Sequence, residues 1–152
     1  MQNLAELTKR LITGNVEFVL VGGFAVIAHG VLRSTRDVDV CCRFSEENLM
    51  RIQKSLTDLH PVNRPRTDLP LEPTPALRAS LKDLYLKTDL GILDCLGEIK
   101  GVGGFEEVAK HSVELELPIS RCRVIDLDNF NRCERSDGSR SRPNHSKRFE
   151  RN

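Results

Sequence analysis

The sequence predicts an α/β fold of the α+β kind: a mixed, mainly antiparallel sheet backed by helices, in one domain over residues 1–133. Three observations predict it. Short strand-like apolar or alternating runs recur along the chain (FVLV, DVDVCC, LYLKT, GILDCL, VELEL, RCRVI), bounded by glycine, proline or charged turns. Amphipathic helical stretches separate several of these runs. A chain of 152 residues, 39% hydrophobic and 30% charged, suits a single modest core rather than two.

Leu4, Leu7, Leu11 and Ile12 recur at helical spacing, so a first helix is expected, stopped by Gly14. Val16 to Val21 is too brief for a buried helix and reads as a strand ending at Gly22-Gly23. FAVIAH then reads as a short helix closed by Gly30. In RDVDVCCRF the period is two, which places Val38, Val40 and Cys42 on one side of a strand and Asp37, Asp39 and Cys41 on the other. Ser45 is an N-cap candidate, with Glu46 and Glu47 in the first turn and Leu49, Ile52 and Leu56 as the core stripe.

Five of the seven prolines fall between Leu59 and Pro75, so that stretch is expected to be a loop, either a lid or a surface insertion. Leu84 to Thr88 and Gly91 to Leu96 read as two strands joined at Thr88-Asp89. A turn at Gly101, Gly103 and Gly104 leads to a short helix, FEEVAKHS, then to strands VELEL and RCRVI and a last short helix over Asp126 to Cys133. Residues 134–152 hold six basic and three acidic side chains and one large apolar one, Phe149, and read as a disordered tail.

With 23 Lys+Arg against 22 Asp+Glu, the chain is not a strongly basic nucleic-acid binder, nor an acidic solvating protein. The near balance hides a core of about −2 and a tail of about +3. No apolar run is long enough for a membrane span and the N-terminus lacks a signal-peptide core, so a cytoplasmic protein with no membrane association is expected. Cys41, Cys42, Cys95, Cys122 and Cys133 form no CxxC pair, which favours reduced, buried thiols over disulfides or zinc.

The candidate chemistry begins with Gly22-Gly23, at a strand-to-helix junction where backbone donors and the helix dipole attract anions. Steric need alone also places glycines at such turns, and neither GxGxxG nor a P-loop ending is present. Asp37 and Asp39 share a strand face at ~6.5–7 Å backbone spacing. Such a pair sits either on a solvated edge or on a cation, and hard oxygen donors suit Mg²⁺ or Mn²⁺. Asp94 favours the cation, because a carboxylate in the apolar run GILDCL is costly to bury unless paired or metal-bound. Three carboxylates on two strands beside a glycine turn fit metal-assisted phosphoryl or nucleotidyl transfer.

The stretch FVLVGGFAVIAHGVLRSTRDVDV resembles the signature of the DNA-polymerase-β-like nucleotidyltransferase superfamily: an apolar strand, a Gly-Gly pair, about a dozen residues, then Asp-x-Asp. More narrowly, GG, HG and RSTRDVDV, with the later segment LYLKTDLGILDCLGEIKGVGGFEEV, are similar to small nucleotidyltransferases grouped with type IV toxin-antitoxin toxins. The resemblance covers roughly residues 15–44 and 84–130 and implies a nucleotidyltransferase fold and a nucleoside triphosphate (NTP) substrate. It implies that Gly22 and Gly23 bind the triphosphate, that Asp37 and Asp39 coordinate divalent cations, and that Asp94 holds the catalytic metal and takes the proton of the attacking hydroxyl.

Arg33 and Arg36, just before Asp37, are candidates to offset phosphate charge, with Lys87 and Thr88 as further candidates and His29 as a helix-end residue. Relatives often continue into a lysine-bearing helix after the last strand, whereas Glu134 stands about there in this chain. The expected activity is Mg²⁺-dependent transfer of NMP from an NTP to an acceptor that is a tRNA, a protein or a small molecule. Acceptor recognition is left to the Pro-rich loop, the tail or a partner protein. The rival readings are a non-catalytic antitoxin-like or regulatory interaction module on the same fold, and a nuclease or hydrolase using the same metals.

Overall fold

Leu20 lies beside Val40 on one neighbouring strand and Val124 on the other, and the sheet is built outward from that buried contact. The computed structural model describes residues 2–31, 34–64, 66–70, 82–118 and 120–129. The expected tail (134–152), Cys133 and the end of the last helix lie outside them, as does Arg33.

The first helix, α1 (Leu4–Thr13), starts where the Asn3 side chain accepts from Glu6 N and ends where Gly14 N donates to Arg10 O. Its Leu7 and Leu11 are fully buried, as their spacing requires. Strand β1 (Phe18–Val21) runs directly into α2 (Gly22–Ala28), so the helix begins at the glycines rather than after them. Strand β2 (Asp37–Cys42) follows, then α3 (Glu46–Leu56), whose N-cap Ser45 accepts from Asn48 N, and a 3₁₀ turn at Thr57–Leu59.

In its described part, residues 59–64 and 66–70, the Pro-rich segment departs from the expected loop, while Pro65, Pro73 and Pro75 lie outside the described residues. It contributes β3 (Val62–Asn63) and β4 (Arg66–Pro70), two short strands added to the sheet edge. Val62 and Asn63 pair with Lys87 and Leu86, so an otherwise open strand edge supplies the partner. The prolines do not obstruct this, because Pro61 precedes β3 and Pro70 closes the edge strand, where a missing donor is tolerated.

The chain continues through β5 (Asp83–Thr88) and β6 (Gly91–Leu96), a hairpin in the expected place, then a small hairpin of β7 (Glu98–Ile99) and β8 (Gly103–Gly104). Helix α4 (Phe105–Lys110), β9 (Ser112–Glu116) and β10 (Arg121–Ile125) follow, and residues 127–129 are helical. Among the described residues the main sheet has eight strands in the order β4-β3-β5-β6-β2-β1-β10-β9. The contacts β1 with β10 and β2 with β6 are parallel and the others antiparallel, so the sheet is mixed and mainly antiparallel.

Register sorts the side chains into two faces. Residues in line with Leu20, including Val38, Val40, Cys42, Leu86, Leu93, Cys95 and Val124, are all buried. The opposite face buries Val19, Val21, Cys41, Leu96 and Ile125 and also carries Asp37, Asp39 and Asp94. The four described cysteines are free thiols and buried. No helix among the described residues is long and apolar enough to cross a membrane.

Candidate metal centre

Parallel pairing of β2 with β6 sets Asp39 directly beside Asp94, and Asp37 stands two residues earlier on the same face. Asp94, 55 residues beyond Asp39 in the sequence, thus converges with Asp37 and Asp39: one carboxylate oxygen from each of the three lies within 4.8 Å of the others. Asp94 is buried, whereas Asp37 and Asp39 are half-buried. At that separation and an effective dielectric constant of ~20, each pair of charges repels by about 3 kcal/mol before solvent screening. Three hard oxygen donors this close fit a divalent cation such as Mg²⁺ or Mn²⁺.

Two further groups complete the row across the sheet. On one side Asp39 is paired with Val21, so Gly22 follows at once beside the carboxylate. Gly22 has φ 70°, and a Cβ there would collide with Asp39 Oδ2. Val21, the N-cap of α2, provides no side-chain cap to the first turn of the helix. On the other side Tyr85 pairs with Asp94. Beyond it Arg64 N donates to Tyr85 O at 2.9 Å, while Arg64 Nη1 lies 3.2 Å from Asp94 Oδ1. The Arg64 guanidinium carbon is 5.3 Å from the centre of the Tyr85 ring.

The other candidates fall as follows. Thr35 Oγ1 donates toward Asp37 Oδ1 at 3.2 Å, at the mouth of β2. Arg36 is exposed one residue before Asp37, its carbonyl accepting from Gln2 Nε2 at 2.6 Å. Lys87 shares the acidic face, with Ile92 between it and Asp37. Thr88 lies on the sheet face opposite Lys87: it is buried, and its hydroxyl donates to Gly91 O at 2.8 Å and accepts from Leu90 N, which closes the β5–β6 turn. His29 is the C-cap of α2 and its Nε2 lies 2.8 Å from Ile125 O, the helix-end role expected of it.

Sequence reasoning missed Arg64 and Tyr85. Arg64 lies among prolines with no periodic pattern around it, so only the pairing of β3 with β5 brings it to the acidic face. Tyr85 was open to detection, because alternation along β5 puts it on the same face as Lys87.

No protein-family model matches the sequence, and no curated protein matches it. Among solved structures the chain is similar to a candidate nucleotidyltransferase from Thermotoga maritima, with a TM-score of 0.59, 15% identity, and 96% of this chain and 89% of that one covered. The two chains share a fold, and in this chain the shared sheet brings Asp37, Asp39 and Asp94 together.

Proposed function

We propose that this protein is a Mg²⁺-dependent nucleotidyltransferase that moves NMP from an NTP to an acceptor hydroxyl or phosphate. The observation that carries the reading is the convergence of the Asp37, Asp39 and Asp94 carboxylates on one sheet face within 4.8 Å, on a fold shared with a candidate nucleotidyltransferase. In this reading the three carboxylates hold Mg²⁺ or Mn²⁺. When bound there, such cations would neutralise polyphosphate charge and acidify the attacking group.

The chain's own residues do the rest. Backbone N–H groups at Gly22 and Gly23, at the uncapped start of α2, receive phosphate oxygens, and Gly22 lets the chain pass close to Asp39. Arg33 and Arg36, which precede β2 in the sequence, offset phosphate charge. Asp94, the most buried of the three, accepts the proton of the attacking hydroxyl. The bond formed joins the acceptor oxygen to the α-phosphorus, and the bond broken releases pyrophosphate. The narrower likeness to type IV toxin-antitoxin toxins, and with it a partner protein, rests on the GG, HG and RSTRDVDV segments.

The test is incubation with each NTP labelled at the α-phosphorus, Mg²⁺ and cell lysate, followed by separation of RNA, protein and small molecules. Label is expected in one fraction and absent with Asp37→Asn. Equal labelling by the variant overturns the reading, and the labelled fraction identifies the acceptor as tRNA, protein or small molecule.

A further inference from the structure

Arg64 brings a cation of the chain itself against the acidic row at Asp94. Its backbone is pinned by the 2.9 Å bond to Tyr85 O, its guanidinium lies over the Tyr85 ring at 5.3 Å, and its Nη1 is 3.2 Å from Asp94 Oδ1. The Asp94 side chain is 11% exposed and that of Arg64 is 37% exposed, so the buried carboxylate meets a guanidinium with one side open to solvent. Tyr85 stands opposite Asp94 in register, so ring, guanidinium and carboxylate adjoin one another.

We infer that Arg64 is an exchangeable counter-ion of the centre. It neutralises Asp94 when no cation is bound and, once a divalent cation takes the Asp94 oxygen, turns on the Tyr85 ring to hold a phosphate group of the nucleotide. The inference rests on the nucleotidyltransferase reading. Its physical basis is that a guanidinium and a dication repel each other and compete for one carboxylate oxygen, and the released guanidinium prefers the bidentate geometry of a phosphate. The ring keeps the freed side chain near the site, which lowers the entropy lost on capturing the phosphate. Cation and polyphosphate therefore load together, and removing Arg64 moves the two affinities in opposite directions.

The experiment uses the full chain and two probes, Mn²⁺ alone followed by electron paramagnetic resonance, and tripolyphosphate at saturating Mg²⁺ followed by calorimetry. Arg64→Gln is expected to bind Mn²⁺ about fivefold tighter, the scale of losing one partly exposed ion pair. The same variant is expected to bind tripolyphosphate about tenfold more weakly, the scale of a charge-assisted contact. Mn²⁺ affinity unchanged or reduced in Arg64→Gln, with its melting temperature at the wild-type value, overturns the inference. Should that variant not fold, Arg64→Lys keeps the charge but loses the planar fork, so weaker tripolyphosphate binding at wild-type melting temperature is expected and wild-type binding overturns the inference. Failure of the underlying reading looks different: the wild type then shows no Mn²⁺ binding that Asp39→Asn abolishes.

Discussion

Gly22 and Asp39 are in mutual contact at the end of β1. Gly22 has φ 70°, and a Cβ added to it would lie 3.0 Å from both Asp39 Cβ and Cγ and would collide with Oδ2. A positive φ and a missing side chain are both needed there, so the glycine that the sequence singles out as a phosphate donor is also what gives Asp39 its place.

Gly22→Ala is accordingly expected to destabilise the protein by about 2–3 kcal/mol and to displace Asp39 from the cluster. Urea unfolding and Mn²⁺ binding measure the two effects. In the Asp39→Gly background the penalty should fall to about 1 kcal/mol, the backbone contribution alone. An unchanged penalty there shows that the contact with Asp39 is not its source.

Repulsion among the three carboxylates gives the acidic row a testable sign. In metal-free buffer Asp37→Asn should raise the melting temperature by about 2–4 °C, because relief of a half-buried like charge contributes roughly 1 kcal/mol. The same variant should lose the rise that Mg²⁺ produces in the wild type. Thermal scans with and without Mg²⁺ check both, and a Mg²⁺ response that survives in the variant removes Asp37 from the centre.

Asn48 holds the start of α3 to the strand layer. Its buried side chain accepts from Glu17 N at 2.7 Å and donates to Glu17 O at 3.0 Å and Arg43 O at 2.8 Å. Asn48→Ala leaves these groups without their partner and should cost about 3 kcal/mol in urea unfolding. Asn48→Asp should be as damaging, since it sets an acceptor against two carbonyls.

His60 and Asp89 supply a pH dependence away from the centre. The exposed His60 Nδ1 lies 2.7 Å from Asp89 Oδ2, and that carboxylate raises the imidazole above its ordinary value of 6.5. With a raised folded-state value, the contribution to stability is fully present below the unfolded value and is lost as pH rises through the folded one. NMR titration should give wild-type His60 a higher midpoint than the Asp89→Asn protein. Coincident midpoints would show that the contact does not form in solution.

The thiols should be inert. Burial pushes Cys122 up to about 11, and a hydrogen bond with Cys95 together with burial raises Cys42 well above its usual value. At pH 8 the thiolate fraction of Cys122 is about a hundredfold below that of an unperturbed thiol, and a disulfide reagent should label it correspondingly slowly until urea unfolds the chain. Rapid labelling in the native state would place Cys122 at the surface.

What the sequence by itself determined is what lies within a few residues. Helix α1 follows from Leu4, Leu7 and Leu11, the N-cap of α3 from Ser45, the common face of Asp37 and Asp39 from a period of two, and the anomaly of Asp94 from its apolar neighbours. Turn, helix and strand propensities are local, so they are legible in local pattern. The tertiary structure alone decided that β6 lies parallel to β2, which sets Asp94 beside Asp39. It also decided that the Pro-rich segment forms β3 and β4 and delivers Arg64 to Asp94. These outcomes depend on pairing between strands distant in the chain, where register is set by how two apolar faces bury each other and no short window of sequence holds that information.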